Sequence, residues 1–380
     1  MELTRRKMLG IIGGGTVIAA GAGFGYHVTR PLEVALKPWK LAGQYDDVRR
    51  NVLSYALLAP NPHNRQPWMV DLSTDNEITL FADLDRLLPH TDPYSRQITI
   101  GLGCFLELLR MAAAQEGYGV AFDLFPDGSN PEALDLRPIA RVTLNAGAGD
   151  PDPLFQYVME RRSTKEPYDL TRPVAAGTLA TVADVVINGG SAGGTVDPDD
   201  IDELRALSLR ARLIETETPH TYKESFDLFR IGRKEVDANP DGIDFSGPLF
   251  ETARSAGFLS REAALDPASQ VYSGGIDYIT NNSMTAMGFV WLTTQTNTRT
   301  DQINAGRDWL RMNLAVTPLD LAMQPMSQAL QEYPEMAEEY AAIHNRLAPQ
   351  GETVQMLARV GYGPKVAASP RWTLENKIIT

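Results

Sequence analysis

Cysteine is almost missing from this chain: its 380 residues contain one, Cys104. That excludes an internal disulfide framework and any Cys-rich zinc or iron–sulfur centre. Histidine is scarce too, with five (His27, His63, His90, His220 and His344), and none forms an HExxH or another close ligand pair. Metal catalysis is therefore not expected. An excess of basic charge is also lacking: 35 Lys and Arg stand against 48 Asp and Glu, for a net charge of −13. Binding along a nucleic-acid backbone is excluded, because no cationic surplus exists to displace counterions. A local basic pocket for one small anion is still compatible with that balance. What is present is ordinary globular composition, 43% apolar and 22% charged, in a chain long enough for about two domains. A chain of this size buries roughly 75% of its unfolded surface and needs no disulfide or metal for stability.

Residues 1–26 have the layout of an export signal. Arg5, Arg6 and Lys7 precede a mildly apolar stretch rich in Gly and Ala, from Met8 to about Tyr26. The adjacent arginines resemble a twin-arginine (Tat) signal. Residues 1–30 are thus expected to be a signal or, if uncleaved, a short membrane anchor. The Tat translocase would be a partner, and the body would be periplasmic or anchored in the inner membrane. Tat export carries folded proteins, so a core and a bound ligand would supply the stability that disulfides do not.

The body reads as two α+β halves, 31–150 and 151–380. In the first, Tyr45 to Leu58 has helical spacing and stops at Ala59-Pro60-Asn61-Pro62-His63-Asn64, where two prolines forbid a continuing helix. Strands are expected at Trp68–Leu72, Glu77–Phe81, Val120–Phe125 and Ala140–Leu144, with a helix from Ile98 to Glu116. Beyond the small-residue, Pro-rich boundary at 145–153, a helix is expected over Leu154–Thr164 and another around 199–215. Residues 217–285, polar and interrupted by Gly and Pro, look like an insertion or lid. Helical character returns at Met287–Thr294 and Asn304–Ala315, and Val354–Gly361 reads as a last core strand. The similar order of elements in the halves suggests a duplication.

Three segments carry chemistry. The rigid loop from Ala59 to Trp68 presents backbone groups and the amides of Asn64 and Gln66, suited to a flat heteroaromatic ring, although Pro and Asn also serve any turn. Glu160-Arg161-Arg162-Ser163-Thr164-Lys165 is a compact anion site in an acidic chain, or else a solvated basic helix end. The tail from Arg359 to Lys365, then Ser369-Pro370-Arg371, turns sharply and adds positive charge.

Taken together, these segments resemble the nitroreductase superfamily of FMN-binding oxidoreductases: an A-P-x-x-x-N-x-Q-P-W loop, an R-R-S-x-x-x-Y run at Arg161, Arg162, Ser163 and Tyr168, and a closing R-x-G-Y with S-P-R. The stretch Ala305–Ala315 with Gln324-Pro325 looks like that family's late helix and following loop. The resemblance covers most of 45–373 and matches poorly across 217–285. One complete set of segments per chain is similar to the Acg-like branch, in which a tandem chain mimics the dimer and keeps a single flavin pocket. The resemblance implies an α+β nitroreductase-like fold of two fused pseudo-repeat halves forming a dimer-like unit, with a lid-like insertion. It implies FMN as cofactor, held by Asn61, His63, Asn64, Gln66, Arg161, Arg162, Ser163, Lys165 and Arg371. Arg96 and Lys165 are candidates for the positive group near N1 and O2 of the ring; Arg96 reads equally as a surface ion pair. No catalytic side chain is assigned.

The expected function is an FMN-dependent oxidoreductase working by ping-pong, with a quinone, nitroaromatic or similar small planar acceptor. Outside the cytoplasm, a quinol or partner protein becomes the expected donor. The alternative is a protein that binds or sequesters FMN without turnover, its ring covered by the insertion. Cys104 reads as a small buried hydrophobe.

Overall fold

A computed structural model describes residues 32–257 and 259–379; the expected signal at 1–30 lies outside them. In the first half, helix α1 (Lys37–Leu41) leads to α2 (Val48–Ala56), whose start is fixed by Asp47 accepting from the Arg49 and Arg50 amides. Strands β1 (Trp68–Asp71) and β2 (Glu77–Ala82) follow, then the long helix α3 (Arg96–Gln115), β3 (Tyr118–Leu124) and β4 (Ala140–Ala146). The strands form an antiparallel sheet in the order β1-β2-β4-β3. Alternation along β2 turns Ile78, Leu80 and Ala82 to the core. Helix α3 is long and apolar enough to cross a membrane by length and composition, and nearly all of it is buried inside the fold.

The second half contains α4 (Ala176–Ala183), β5 (Ser191–Thr195) and α5 (Pro198–Glu217). Then comes an inserted segment: α6 (Pro219–Asp227), β6 (Phe229–Ile231), α7 (Arg233–Ala238), β7 (Ile243–Phe245), α8 (Pro248–Ser255), α9 (Arg261–Leu265) and α10 (Gln270–Met284). The half resumes with β8 (Gly288–Thr294), α11 (Arg299–Ala315), β9 (Ala322–Pro325), α12 (Ala337–Leu347) and β10 (Thr353–Gly361). Its antiparallel sheet runs β5-β8-β10-β9. Each sheet thus takes its strands in the same spatial order, with one long helix (α3 or α11) between its second and third strands in the chain.

Those two helices cross backbone to backbone. A Cβ on Gly103 would overlap the Ile303 carbonyl, and one on Gly306 the Ile100 carbonyl; each would also lie 2.9 Å from the other glycine's Cα. Only glycine on both sides permits this approach. A continuous core, including Leu102, Phe105, Ile303 and Leu310, spans both halves around the crossing.

Two expectations need correction. Met287–Thr294 is strand, not helix: β8 lies between β5 and β10 and is buried on both faces, so its apolar run has no alternation to reveal it. The expected helix at Leu154–Thr164 shrinks to a single 3₁₀ turn, Pro153–Tyr157. Beyond it the backbone is drawn away to bond elsewhere, with the Thr164 amide donating to Met323 O.

Candidate functional site

The site begins where α2 must end. Pro60 and Pro62 stop the helix, and the loop continues with left-handed backbone at His63, Asn64 and Gln66 (φ 47°, 50° and 51°). Such conformations persist only when their surroundings enforce them. Here the C-terminal tail does so: Arg371 donates to Asn64 Oδ1 (2.6 Å) and to the carbonyls of Leu57, Leu58 and Ala59. Asn64 Nδ2 donates to Pro370 O, the Trp372 amide to Gln66 Oε1, and buried Lys377 to Gln66 O (2.8 Å). Helix α3 also presses on the loop, since a Cβ on Gly101 would lie 3.1 Å from Asn61 Cβ and Pro62 Cδ.

The carboxamides expected to border a ring are consequently committed within the protein. Fully buried Gln66 spends its other end on Pro240 O (2.8 Å), and Asn61 accepts from the Gln66 amide (2.7 Å) while donating to Ala59 O. Their work is to hold the strained loop. Arg96 is corrected more sharply. It is 1% exposed, donates to Gln355 O and Leu330 O, and pairs with Glu332 at 3.4 Å. Its guanidinium ties the start of α3 to the second half, leaving no free charge for a ring.

The Arg-Arg-Ser segment and the Pro-Asn loop do meet. Arg161 donates to Asn313 Oδ1 (2.8 Å) and shares the Leu58 carbonyl with Arg371. Arg162 lies over the Trp39 ring at 4.9 Å, with Arg371 over the same ring at 5.8 Å. Among the described residues, none of these three arginines has a carboxylate within 4.0 Å; Glu160 acts on Arg162 only at longer range. Arg162 Nε is buried with no partner. Burial, reinforced by Arg161 and Arg162, pulls Arg371 down to about 9. Burial and the field of Arg162 pull Arg161 down to about 10. Ser163 is half-buried beside them.

Lys165 follows the Arg-Arg-Ser run and is exposed. Desolvation first, then Arg212 of α5, hold its ammonium below the usual range, against Asp244 of β7. His63 Nε2 lies 3.2 Å from Ser225 Oγ of α6, and that hydroxyl donates to Glu215 Oε1 of α5 (3.0 Å). Gln331 holds the other carboxylate oxygen at 2.8 Å. Arg212, Glu215, Ser225 and Asp244 carry no motif. They reach the site only because α5 and the inserted segment fold over it, so spacing along the chain gave no signal of them. Cys104 is buried, donates to Gly306 O, and is pushed up to about 12 by desolvation, as suits an inert thiol.

No family model matches the chain. A 100-residue stretch is 34% identical to "Putative NAD(P)H nitroreductase acg" of Mycobacterium tuberculosis, covering 26% of this chain and 30% of that one. A 164-residue stretch is 29% identical to "Putative NAD(P)H nitroreductase Rv3131" of the same organism, covering 43% of this chain and 46% of that one. The matches thus span less than half the length of these relatives. Among solved structures, an FMN-dependent nitroreductase of Mycobacterium smegmatis in complex with NADPH is 16% identical over 59% of this chain and 96% of its own, with a TM-score of 0.36. A nitroreductase with bound FMN from Bacteroides fragilis is 14% identical over 60% and 98%, with a TM-score of 0.34.

Proposed function

We propose that this chain is an FMN-dependent oxidoreductase of the nitroreductase superfamily, with one flavin site built between its two halves. The observation that carries the reading is the trio Arg161, Arg162 and Arg371, brought together with no carboxylate beside them among the described residues. Three neighbouring guanidinium groups repel one another, and burial removes the water that would screen them. A phosphomonoester answers this with nearly two negative charges and three acceptor oxygens, and the unpartnered Arg162 Nε fits the same demand. Part-length relatives named as nitroreductases support the same assignment.

Arg161, Arg162, Ser163 and Arg371 would hold the phosphate, with the loop at 60–66 along one side and Lys165 as the positive group toward the ring. FMN, when bound, supplies reversible two-electron chemistry. The protein supplies grip, orientation and exclusion of water. The matching strand orders of the two sheets favour a tandem duplication in which one chain does what two subunits do elsewhere. In this reading the working cycle is ping-pong, with a planar acceptor such as a quinone. The signal at 1–30 would direct Tat export, making a quinol or partner protein the donor.

One observation favours flavin binding without turnover. The inserted segment is fastened to the first half: Glu224 accepts from the His90 and Thr91 amides and the Thr91 hydroxyl, Asp241 pairs with Arg86 (2.5 Å), and Pro240 O accepts from Gln66. A cover pinned this firmly would shut substrates out.

Purified protein should be yellow and release FMN on denaturation, identified by mass. Colourless protein that also ignores added FMN would overturn the assignment. Rapid reoxidation of the reduced flavin by a soluble quinone would select turnover over sequestration.

A further inference from the structure

We propose that His63 takes up a proton at Nδ1 when the bound flavin is reduced, so that the site stores a proton beside a pair of electrons. The proposal rests on the FMN reading above and deepens it.

The argument starts from one hydroxyl hydrogen. A carboxylate only accepts, so the Ser225 hydroxyl, 3.0 Å from Glu215 Oε1, must donate its single hydrogen there. Its oxygen then serves His63 as an acceptor, and at 3.2 Å it takes the Nε2 hydrogen. The neutral ring is thereby fixed as the Nε2–H tautomer with a bare lone pair on Nδ1. That atom is enclosed and has no hydrogen-bond partner among the described residues. A buried acceptor left unsatisfied costs about 1–3 kcal/mol, and an exception of this kind calls for a reason.

The surroundings supply one. The charged groups that act most on the ring belong to different walls: Glu215 on α5, Glu224 on α6, Lys165 after the Arg-Arg-Ser run, and Arg65 in its own loop. Two carboxylates oppose two cations, and burial decides for the neutral form. Such a balance is poised, and one added negative charge nearby reverses it. Reduction adds that charge. With dithionite as reductant, which with water gives bisulfite, two electrons and two protons, the bound flavin would take the electrons and one proton, and His63 Nδ1 would take the other proton. Nε2–H stays on Ser225 and the Ser225 hydroxyl stays on Glu215. The loaded site then suits an acceptor that needs two electrons and two protons together, such as a quinone, over a one-electron metal acceptor.

The test follows the histidine ring by NMR in the full FMN-loaded protein, oxidised and then dithionite-reduced, with His63→Asn for assignment; Asn tolerates the left-handed backbone at 63. The oxidised protein should show the Nε2–H tautomer. Reduction should raise the proton affinity of His63 more than tenfold. Ser225→Ala, which leaves the loop itself untouched, should lose the tautomer preference while staying yellow. An Nδ1–H tautomer in the oxidised protein, or identical titration in the two redox states, overturns the proposal while leaving the FMN assignment intact. Protein that binds no FMN overturns both.

Discussion

Two trios of arginines in this molecule sit under opposite conditions. Beside the helix crossing, Arg110, Arg307 and Arg311 surround fully buried Glu107 at 2.6–3.1 Å, and Asp152 pairs with Arg110 and Arg311. Burial would push Glu107 up, but hydrogen bonds from Arg110 and the fields of Arg307 and Arg311 outweigh it and hold the carboxyl below its ordinary range. At the other place, Arg161, Arg162 and Arg371 have carbonyls, two asparagines and an indole face, and no carboxylate among the described residues. The first cluster is largely balanced by two carboxylates and pins the two halves together. The second keeps its positive charge, and on the proposed reading that residual charge is what would receive an anion.

The comparison can be broken or sharpened in four ways. The largest effect is expected from Glu107→Gln, which leaves buried Arg311 and the half-buried Arg110 and Arg307 facing one carboxylate. Loss of a partner from a buried network costs about 3–5 kcal/mol, and urea denaturation should register it; a change near zero would erase the distinction between the clusters. Next, Arg161→Met with Arg162→Met should weaken FMN binding at least a hundredfold, at roughly 1.5–3 kcal/mol per charge-assisted bond. Binding of riboflavin, which lacks the phosphate, should change little. Equal losses for both ligands, measured by flavin fluorescence, would move the phosphate elsewhere.

Lys377 is an intermediate case, buried with Asp83 no nearer than 3.6 Å. Desolvation first, then Arg86, lower it to about 7 from 10.5. Between those values the unfolded chain binds more protons than the folded one, so stability should rise from about pH 7 to pH 10.5 and be level below. The slope for a single proton is at most about 1.4 kcal/mol per pH unit. Urea midpoints measured across this range should lose that rise in Lys377→Met. The smallest effect belongs to Asp135→Asn. It breaks an exposed pair with Arg137, and the same midpoint should stay where it was.

Much of the fold could be read from the chain because its elements obey one period each. Helix α3 shows Leu102, Phe105, Leu106 and Leu109 at three- and four-residue spacing, and β2 alternates cleanly. Strand β8 hid because both of its faces are covered. At the site, the charged segments were legible as anomalies in an acidic chain, and the structure brings Arg161, Arg162 and Arg371 together. Asn61, Asn64 and Gln66 look like ring partners in sequence; in the structure their side chains bond Ala59, the tail at 370–372 and Pro240, partners that lie far along the chain for all but Asn61. Glu215 and Ser225 were invisible because only tertiary folding sets them against His63.

The glycine contact between α3 and α11 has a consequence for access. Where main-chain atoms touch, at Gly103 and Gly306, no side chains stand between the helices to repack, so the halves neither slide nor hinge there without breaking the core. The flavin site proposed between them would then have a set width, and the inserted segment, held by polar fastenings, would be the part that yields to admit or release a ligand.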